Sequence, residues 1–448
     1  MKNKTLFSIM FAMCLALTPM FLLTACDKGH VHVMEYHPAV SATCETGGTV
    51  EYWHCKDCNK NYSAEKDGKE LEDITTGALG HDYKNYTYNA VDKTYTGTCT
   101  HDASHLDTKP AGLTEEYSYM VSSEADFADL GIADDQATTT IYLKLADNIA
   151  LTKGVVADRP FVLDLNGKTL LLETTTEQSM FTVGSKNRTR VIEAEIKNGT
   201  MKFVGKWSAD RRNLITCDYQ SRLTIDGVTG QSNKYGITLW ADAQVNATNT
   251  KIYSYNEAIS NNNLGQEDAI NKNSMFVADN CEFVSTDDSA IFVGGYMKLA
   301  INNSKITGKT GGVHIMMGDI AITNSEIKSG SEELTALKVP NASLLKERGT
   351  NPADGAAVMI RADLYYDKHI KTNKLVLDFA GTTFASSTGV AVSVYQCNNA
   401  SNYLTGAEVE ANTVMNQAEY VKTILPGLGV NTKTFEYVDG AINEVTNA

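Results

Sequence analysis

Four residues near the amino terminus have the types and spacing of a metal site: Cys44, Cys55, Cys58 and His81. Cys55 and Cys58 form a Cys-x-x-Cys pair, and one tight turn at this spacing presents two thiolates to a single tetrahedral ion. We expect Cys44 to return on the neighbouring strand of a hairpin, with His37 or His81 as the fourth ligand. The sequence therefore predicts one structural zinc ion, since so small a module has little core and metal binding can drive its folding.

Three other interpretations of these residues remain open. In an oxidising compartment, Cys44 pairs with Cys55 or Cys58 as a disulfide. Alternatively, the Cys-x-x-Cys pair is a redox centre, although the βαβ pattern that surrounds such pairs is missing from this stretch. In the third interpretation the histidines are simply solvated side chains.

The residues around the pair resemble a known surface module. Ala42-Thr43-Cys44, then Glu51-Tyr52-Trp53, the pair itself and a closing Gly80-His81 are similar to the small zinc-ribbon-like repeat of many Firmicute surface proteins. The match covers about Val31 to His81 and departs at Asn59, where the family usually has glycine. The resemblance implies a cell-surface spacer or attachment module without catalysis.

A degenerate second copy of this repeat runs from His81 to Leu106. It contains Cys99 as its single cysteine, with His101 and His105 nearby. Because it lacks the Cys-x-x-Cys pair, we do not expect this second copy to bind metal alone.

The amino terminus has the composition of a secretory signal. Lys2 and Lys4 precede an uncharged run from Leu6 to Leu23, which ends in Leu23-Thr24-Ala25-Cys26. A run of about 18 apolar residues is also at the lower limit for a membrane-spanning helix. The ending resembles the lipobox of bacterial lipoproteins, in which the peptide is cut before the cysteine and the thiol is acylated. The resemblance implies an extracytoplasmic protein that a lipid on Cys26 attaches to a bacterial membrane.

Charge and composition limit the classes of partner and indicate where the domain boundaries lie. The formal net charge is −15 at pH 7, whereas a nucleic-acid surface needs the opposite sign, so nucleic acid is excluded as a partner. Histidine and cysteine are dense only before about residue 110, where we place a domain boundary. The predicted organisation is a signal peptide at 1–25, a tether at 26–36, the Cys/His-rich module at 37–110, a repeat region at 111–400 and a cap or tail at 401–448.

From about residue 160 the chain repeats short alternating apolar segments that end in an Asn or Asp turn. Period-two alternation predicts strands with one buried face, and repetition at roughly twenty residues predicts a solenoid whose coils cover one another. Asn280, Asn303 and Asn324 occupy equivalent turns, where asparagine tolerates a left-handed backbone and its amide can pair between coils. We read residues 264–274 and 331–354 as edge loops, and the acidic, partly helical segment 124–135 as a cap.

This pattern resembles the right-handed parallel β-helix of the pectate-lyase-like superfamily over about residues 138 to 400. The opening segment Phe161–Leu170, which contains Asp-Leu-Asn-Gly-Lys-Thr-Leu, is similar to the first coils of bacterial surface β-helices. We therefore predict a mainly β fold, in which a right-handed parallel β-helix solenoid follows a small Cys/His-rich β module. A β-sandwich is the alternative.

Enzymes of this superfamily cut acidic polysaccharides. Asp287 and Asp288 resemble the Asp-Asp pair of the polygalacturonase-like members, Asp268 is a third candidate, and Gly311-Gly312-Val313-His314 is an imperfect version of their Gly-His-Gly motif. Aspartates after strands are, however, also ordinary turn residues. We therefore prefer a surface lipoprotein whose β-helix serves as a binding or scaffold surface toward glycans or neighbouring surfaces. The alternative is a polysaccharide-degrading enzyme that uses Asp287, Asp288 and His314.

Replacing Cys26 with serine is expected to abolish incorporation of labelled fatty acid, because serine offers no thiol for acylation. Each buried methylene of the lipid contributes about 0.8 kcal/mol to membrane attachment, and the variant loses this contribution. It should therefore accumulate as an uncleaved precursor or as a released, unlipidated protein. The matched control is Cys14→Ser inside the signal, which should label normally. Normal labelling of the Cys26→Ser variant contradicts the lipoprotein interpretation.

Overall fold

The computed structural model describes residues 32–176, 178–184, 190–205, 213–240, 242–261, 274–315, 318–330, 355–363, 376–386, 392–399, 402–403, 434–438 and 441–445. Two compact units divide the chain: the small unit, Met1–Tyr86 with Gly97–Asp107, and the large unit, Thr87–Thr96 with Thr108–Ala448. Cys26, the signal, Asp268, nearly all of the two predicted edge loops and most of the predicted tail lie outside the described residues. Among the described residues, no helix is long and apolar enough to cross a membrane.

Short strands build the small unit. They are β1 (Met34–His37), β2 (Gly48–Thr49), β3 (Tyr52–Cys55), β4 (Lys60–Tyr62), β5 (Glu70–Leu71), β6 (Thr75–Thr76), β7 (Tyr83–Asn89), β8 (Thr94–Cys99) and β9 (Leu106–Pro110). One antiparallel sheet has the order β1-β3-β4-β5, and β2 pairs antiparallel with β6. A three-stranded sheet has the order β7-β8-β9.

After β9, the chain continues with one short strand and one short helix. Strand β10 (Tyr119–Val121) pairs parallel with the first strand of the repeat region, and helix α1 (Glu124–Asp129) follows it. The Asp126 carboxylate accepts the N–H of Ser123 at 3.0 Å, which satisfies a donor at the start of the helix. The helix covers only the first half of the acidic segment 124–135. It buries Phe127.

Three series of parallel strands follow. The first series contains β11 (Ile141–Leu145), β14 (Phe161–Asp164), β17 (Ile192–Gly205), β19 (Ser221–Ser232), β21 (Gln244–Thr248), β24 (Met275–Asp279), β27 (Lys298–Asn302), β30 (Asp319–Thr323) and β33 (Val376–Asp378). The second series shares the long strands β17 and β19 and adds β12 (Ile149–Leu151), β15 (Thr169–Thr174), β22 (Lys251–Ser254), β25 (Glu282–Ser285), β28 (Lys305–Gly308), β31 (Glu326–Ser329) and β34 (Thr383–Ala385). Together with β10 they form one 17-stranded sheet.

The third series belongs to a separate 12-stranded sheet. Its parallel strands are β13 (Val155–Ala157), β16 (Phe181–Val183), β18 (Asn213–Cys217), β20 (Tyr235–Leu239), β23 (Ile259–Asn261), β26 (Ser289–Val293), β29 (Gly311–Ile315), β32 (Val358–Asp363) and β35 (Val392–Asn399). Antiparallel pairings with β35 and between the last two strands complete the sheet through β36 (Asn402–Tyr403), β37 (Thr434–Val438) and β38 (Ala441–Val445).

The register of these strands stacks apolar side chains into columns. Phe276, Leu299 and Ile320 pair in consecutive strands of the first series, and each is fully buried. The alternating sequence creates this arrangement, because every second side chain of a strand points to the same face. The chain is therefore mainly β with long parallel sheets, as the repeat predicted.

Asparagine turns join the first series to the second. Asn249, Asn280, Asn303 and Asn324 all have a left-handed backbone, with φ values of 49°, 53°, 48° and 50°. Their amides pair between neighbouring turns, as when Asn280 Nδ2 donates to Asn249 Oδ1 at 2.8 Å and Asn303 Nδ2 donates to Asp279 Oδ1 at 3.1 Å. The predicted roles of asparagine in these turns, backbone tolerance and amide pairing, are both confirmed.

Replacing Asn303 with alanine is expected to lower the free energy of unfolding by about 2 kcal/mol. Roughly half of this comes from a side chain forced into the left-handed region, and the rest from the lost hydrogen bond to Asp279. Asn303→Gly is the matched control, because glycine keeps the backbone and loses only the bond. Urea denaturation of the large unit measures both variants, and equal losses for alanine and glycine would show that the backbone conformation costs nothing.

Candidate metal-binding groups and an outer groove

The first Cys/His group consists of His32, Cys55 and Cys58, whose ligand atoms all lie within 4.8 Å of one another. Antiparallel pairing of Met34 with Cys55 puts the residues before β1 beside the end of β3. His32 Nδ1 therefore lies 3.0 Å from Cys55 Sγ and 3.8 Å from Cys58 Sγ. Two thiols and an imidazole at these separations fit three corners of a tetrahedral ion.

The turn that contains the two cysteines ends at Asn59. Its N–H donates to the Cys55 carbonyl at 2.9 Å, and its φ is 56°. Asparagine is enriched among the non-glycine residues that adopt this left-handed backbone. Asparagine at position 59 is therefore compatible with the left-handed conformation of this turn.

Hydrogen bonds to sulfur favour the thiolate of Cys55. Burial raises the pKa of this thiol, but the N–H of Cys58, the His32 ring and the N–H of Asp57 outweigh burial and lower the pKa to about 6. The Tyr62 hydroxyl lies 3.5 Å from Cys58 Sγ, and this bond, with burial, raises the pKa of Tyr62 to about 12. The lowered pKa favours the thiolate of Cys55, which is the form that binds a metal.

The second Cys/His group consists of Cys44, His81 and Cys99, again with all ligand atoms within 4.8 Å. Backbone hydrogen bonds bring these segments together. The N–H of Gly80 donates to the Cys44 carbonyl at 3.1 Å. The N–H of Thr100 donates to the carbonyl of the residue after His81 at 2.9 Å.

His105 adjoins the second group. The N–H of Cys99 donates to the His105 carbonyl at 3.0 Å, so a tight turn returns the chain to the cysteine. His105 Nδ1 lies 3.0 Å from Cys44 Sγ, and its Nε2 lies 3.8 Å from Glu45 Oε1. The ring centroids of His81 and His105 are 5.0 Å apart, edge to face.

The pKa values of the two thiols in the second group shift in opposite directions. Burial raises the pKa of Cys99, but the N–H groups of Asp82, His101 and Asp102 and the side chain of His81 outweigh it and lower the pKa to about 6. Burial raises the pKa of Cys44, and the neighbouring Cys99 raises it further. A bound dication would neutralise this repulsion and displace the remaining proton.

Three cysteines are the buried hydrophobic residues in the described part of the small unit. Cys44, Cys55 and Cys99 are 4%, 0% and 3% exposed, and no other hydrophobic side chain is buried among residues 32–86 and 97–107. The continuous apolar core described for the chain begins only at Val121. Three thiols supply little of the burial that a fold of this size needs, and small folds of this kind commonly add metal ions or disulfides.

The four ligands predicted from the sequence do not meet in one group. Cys55 and Cys58 lie in the first group, whereas Cys44 and His81 lie in the second. Cys44 occupies the loop between β1 and β2 and does not return on a strand beside the pair. Cys44, Cys55 and Cys58 form no disulfide, and Cys44 is in a different group from its predicted disulfide partners.

Sequence reasoning did not assign His32, Cys99 and His105 as ligands. His32 lies near Cys55 and Cys58 because β1 pairs with β3, and no local sequence motif predicts this pairing. A cysteine followed closely by histidines was the available signal for Cys99. The alternative ligand His37 stacks on Tyr52 instead, with ring centroids 4.6 Å apart and planes 7° from parallel.

The aspartates of the enzyme alternative make structural bonds. Asp287 is 3% exposed, and Lys309 Nζ lies 3.2 Å from its Oδ1. Asp288 Oδ1 accepts the N–H of Ser289 at 2.8 Å, and the Asp288 N–H donates to Ser285 Oγ at 2.9 Å. Both residues lie in the turn before β26, where aspartate commonly bonds nearby backbone groups.

The strand register separates His314 from these aspartates. His314 in β29 lies opposite Phe292 in β26, which follows Asp288 by four residues. Their Cα atoms are therefore offset by about 13 Å along the strands. His314 is 6% exposed and packs edge-on against the Phe292 ring, with centroids 5.1 Å apart. The histidine does not join the two aspartates in one site.

A groove of about 370 Å³ crosses the outer face of the first series. It lies along β11, β14, β17, β19 and β21, over outward-facing side chains and over two buried residues, Phe161 and Ala194. We call it the outer groove, and it is lined by Thr140, Tyr142, Phe161, Val162, Glu193, Ala194, Glu195, Arg222, Thr224, Gln244 and Asn246.

Comparisons with known proteins assign no family. No family model matches the chain, and no curated protein matches it. A solved structure of Geobacillus virus E2 ORF18 is similar at 8% identity, with a TM-score of 0.27 over 58% of this chain. The match spans about half of that protein's length, 54%. A likeness of this size carries no argument about fold or function.

Proposed function

We propose that this chain is an extracytoplasmic lipoprotein, anchored through Cys26, whose parallel strands form a right-handed β-helix that binds a glycan in the outer groove. The small unit is the spacer that connects the anchor with the binding region. A structural zinc ion on His32, Cys55 and Cys58 stabilises this spacer. The outer groove is the observation that carries the binding function.

The strand order supports the β-helix. Each successive segment of chain adds one strand to each of three parallel series, in the order first, second, third. Parallel strands joined by crossover connections are almost always right-handed, because strand twist favours that hand. A solenoid of this kind offers long, regular outer faces on which side chains align from one strand to the next.

Two columns of side chains border the outer groove. Tyr142, Val162, Glu195, Thr224 and Asn246 pair in sequence across five neighbouring strands. Glu193, Arg222 and Gln244 form the parallel column two positions earlier in their strands. Five strands at about 4.8 Å spacing extend for about 19 Å, so the groove suits an elongated ligand that lies across the strands.

The chemistry of the groove favours an uncharged glycan. The ring of Tyr142 can stack on the apolar face of a sugar, and Thr224 and Asn246 offer hydrogen-bonding groups to its hydroxyls. The cation in the groove, Arg222, already faces the Asp242 carboxylate at 3.3 Å. Glu193 and Glu195 would repel a polyanion, which agrees with the acidic net charge of the chain.

Replacing Tyr142 with alanine is expected to weaken glycan binding by the full chain about tenfold, because a lost stacking contact is worth about 1 kcal/mol or more. A glycan array identifies the ligand, and calorimetry measures the dissociation constants. Tyr296→Ala is the matched control, because Tyr296 lies outside the lining of the groove and its loss should leave binding unchanged.

Two results would contradict this proposal. Failure of the full chain to bind any arrayed glycan would remove the binding function. Release of reducing ends from polygalacturonate or a related glycan, lost in an Asp288→Asn variant, would favour the polysaccharide-degrading alternative.

A further inference from the structure

We propose that the small unit holds a second metal ion, bound by Cys44, His81, Cys99 and His105, in a centre to which both copies of the Cys/His repeat contribute. This inference is independent of glycan binding and of the zinc ion proposed for the first Cys/His group. It assigns a role to the degenerate second copy, which has no Cys-x-x-Cys pair of its own.

The separations of Cys44, His81 and Cys99 fit three corners of a tetrahedral ion. Zinc bonds of about 2.3 Å to sulfur and about 2.0 Å to nitrogen put neighbouring ligand atoms about 3.5 Å apart. The ligand atoms of these three residues lie within 4.8 Å of one another. His105 lies outside this group and forms another with Glu45 and His81, but its Nδ1 is 3.0 Å from Cys44 Sγ, so a shift of its ring brings it to the fourth corner.

The surroundings orient the ligands as in known metal sites. His105 turns Nδ1 toward Cys44 and Nε2 toward the Glu45 carboxylate, 3.8 Å away. A histidine that binds metal through one nitrogen commonly points the other at a carboxylate, which fixes the ring. Backbone N–H groups of Asp82, His101 and Asp102 bond to Cys99.

The ligand types indicate zinc. Two thiolates with two imidazoles form a common structural zinc set, and thiolates disfavour magnesium and calcium. Two protein thiols and two histidines also complete four coordination positions, which leaves no open position for a substrate. The centre is therefore structural and has no catalytic role.

The proposed centre draws its ligands from both copies, so the second copy contributes to metal binding without a Cys-x-x-Cys pair. Cys44 comes from the first copy and His81 from the junction, whereas Cys99 and His105 come from the second copy. The ion then closes a long loop between Cys44 and Cys99. Closing such a loop restricts the unfolded chain, and it stabilises a unit in which cysteines are the buried hydrophobic residues among those described.

Metal analysis of the full chain, purified reduced and without oxygen, tests the proposal. We expect about two zinc ions per chain for a structural site in each group. Cys99→Ser should leave about one, Cys58→Ser should also leave about one, and the double variant should leave none. His101→Asn is the matched control, because its Nδ1 bonds the Gly80 carbonyl at 2.9 Å, and it should retain both ions.

Cobalt substitution separates loss of a ligand from loss of the fold. In the Cys58→Ser background, bound cobalt should show the thiolate charge-transfer and visible bands of a tetrahedral site, and Cys99→Ser should abolish them. Cys99→His keeps a ligand at that position and should restore bound metal with a weaker thiolate band.

Three results would overturn the second centre. The first is about one ion in the wild-type chain, lost on Cys58→Ser. The second is a Cys99→Ser variant that still holds two ions. The third is a Cys44–Cys99 disulfide, found by mass spectrometry of metal-free protein prepared without oxygen. A chain that keeps one ion on Cys58→Ser and loses it on Cys99→Ser supports the second centre, even if the first group proves empty.

Discussion

The left-handed asparagine turn between the first and second series is the constraint on which the repeats from β21 to β31 depend. In these four repeats the two strands follow each other with only two residues between them, as at Asn303 and Ser304 between β27 and β28. Asn303 supplies the positive φ, and Ser304 is buried and donates to the Asn302 carbonyl at 2.7 Å. Because the turn has the same length in these repeats, each of their strands meets its neighbour in the same register.

Constant register then determines both faces of the sheet. On the inner face it aligns Phe283, Ile306 and Ile327 in one fully buried column. On the outer face it aligns Glu195, Thr224 and Asn246 beside the outer groove. A change that shifts one strand by one residue would therefore disturb both its buried column and its outward-facing column.

Much of the large unit followed from its sequence, because its structure is periodic and local. Alternation predicted the parallel strands, and the spacing of Asn280, Asn303 and Asn324 predicted the turns. The Cys/His groups followed only in part. Cys55 and Cys58 are adjacent through a local turn, whereas the partners of Cys44 depend on contacts between residues more than thirty positions apart. Burial of Asp287 against Lys309 is likewise a property of stacking between turns.

The small unit is stabilised in a different way from the large unit. Among its described residues the buried hydrophobic side chains are Cys44, Cys55 and Cys99, so burial alone contributes little to its stability. The proposed metal ions would therefore stabilise its fold. The described part of the large unit has an extensive apolar core between Val121 and Phe379 instead.

Hydrogen exchange of the full chain with and without a strong zinc chelator tests this difference most directly. The account predicts that chelation removes the protection of amides in β3 and in residues 97–105, while strands β24 to β31 exchange as slowly as before. Unchanged protection of the small unit after the metal has been removed would contradict it, because the cysteines would then stabilise the fold without an ion.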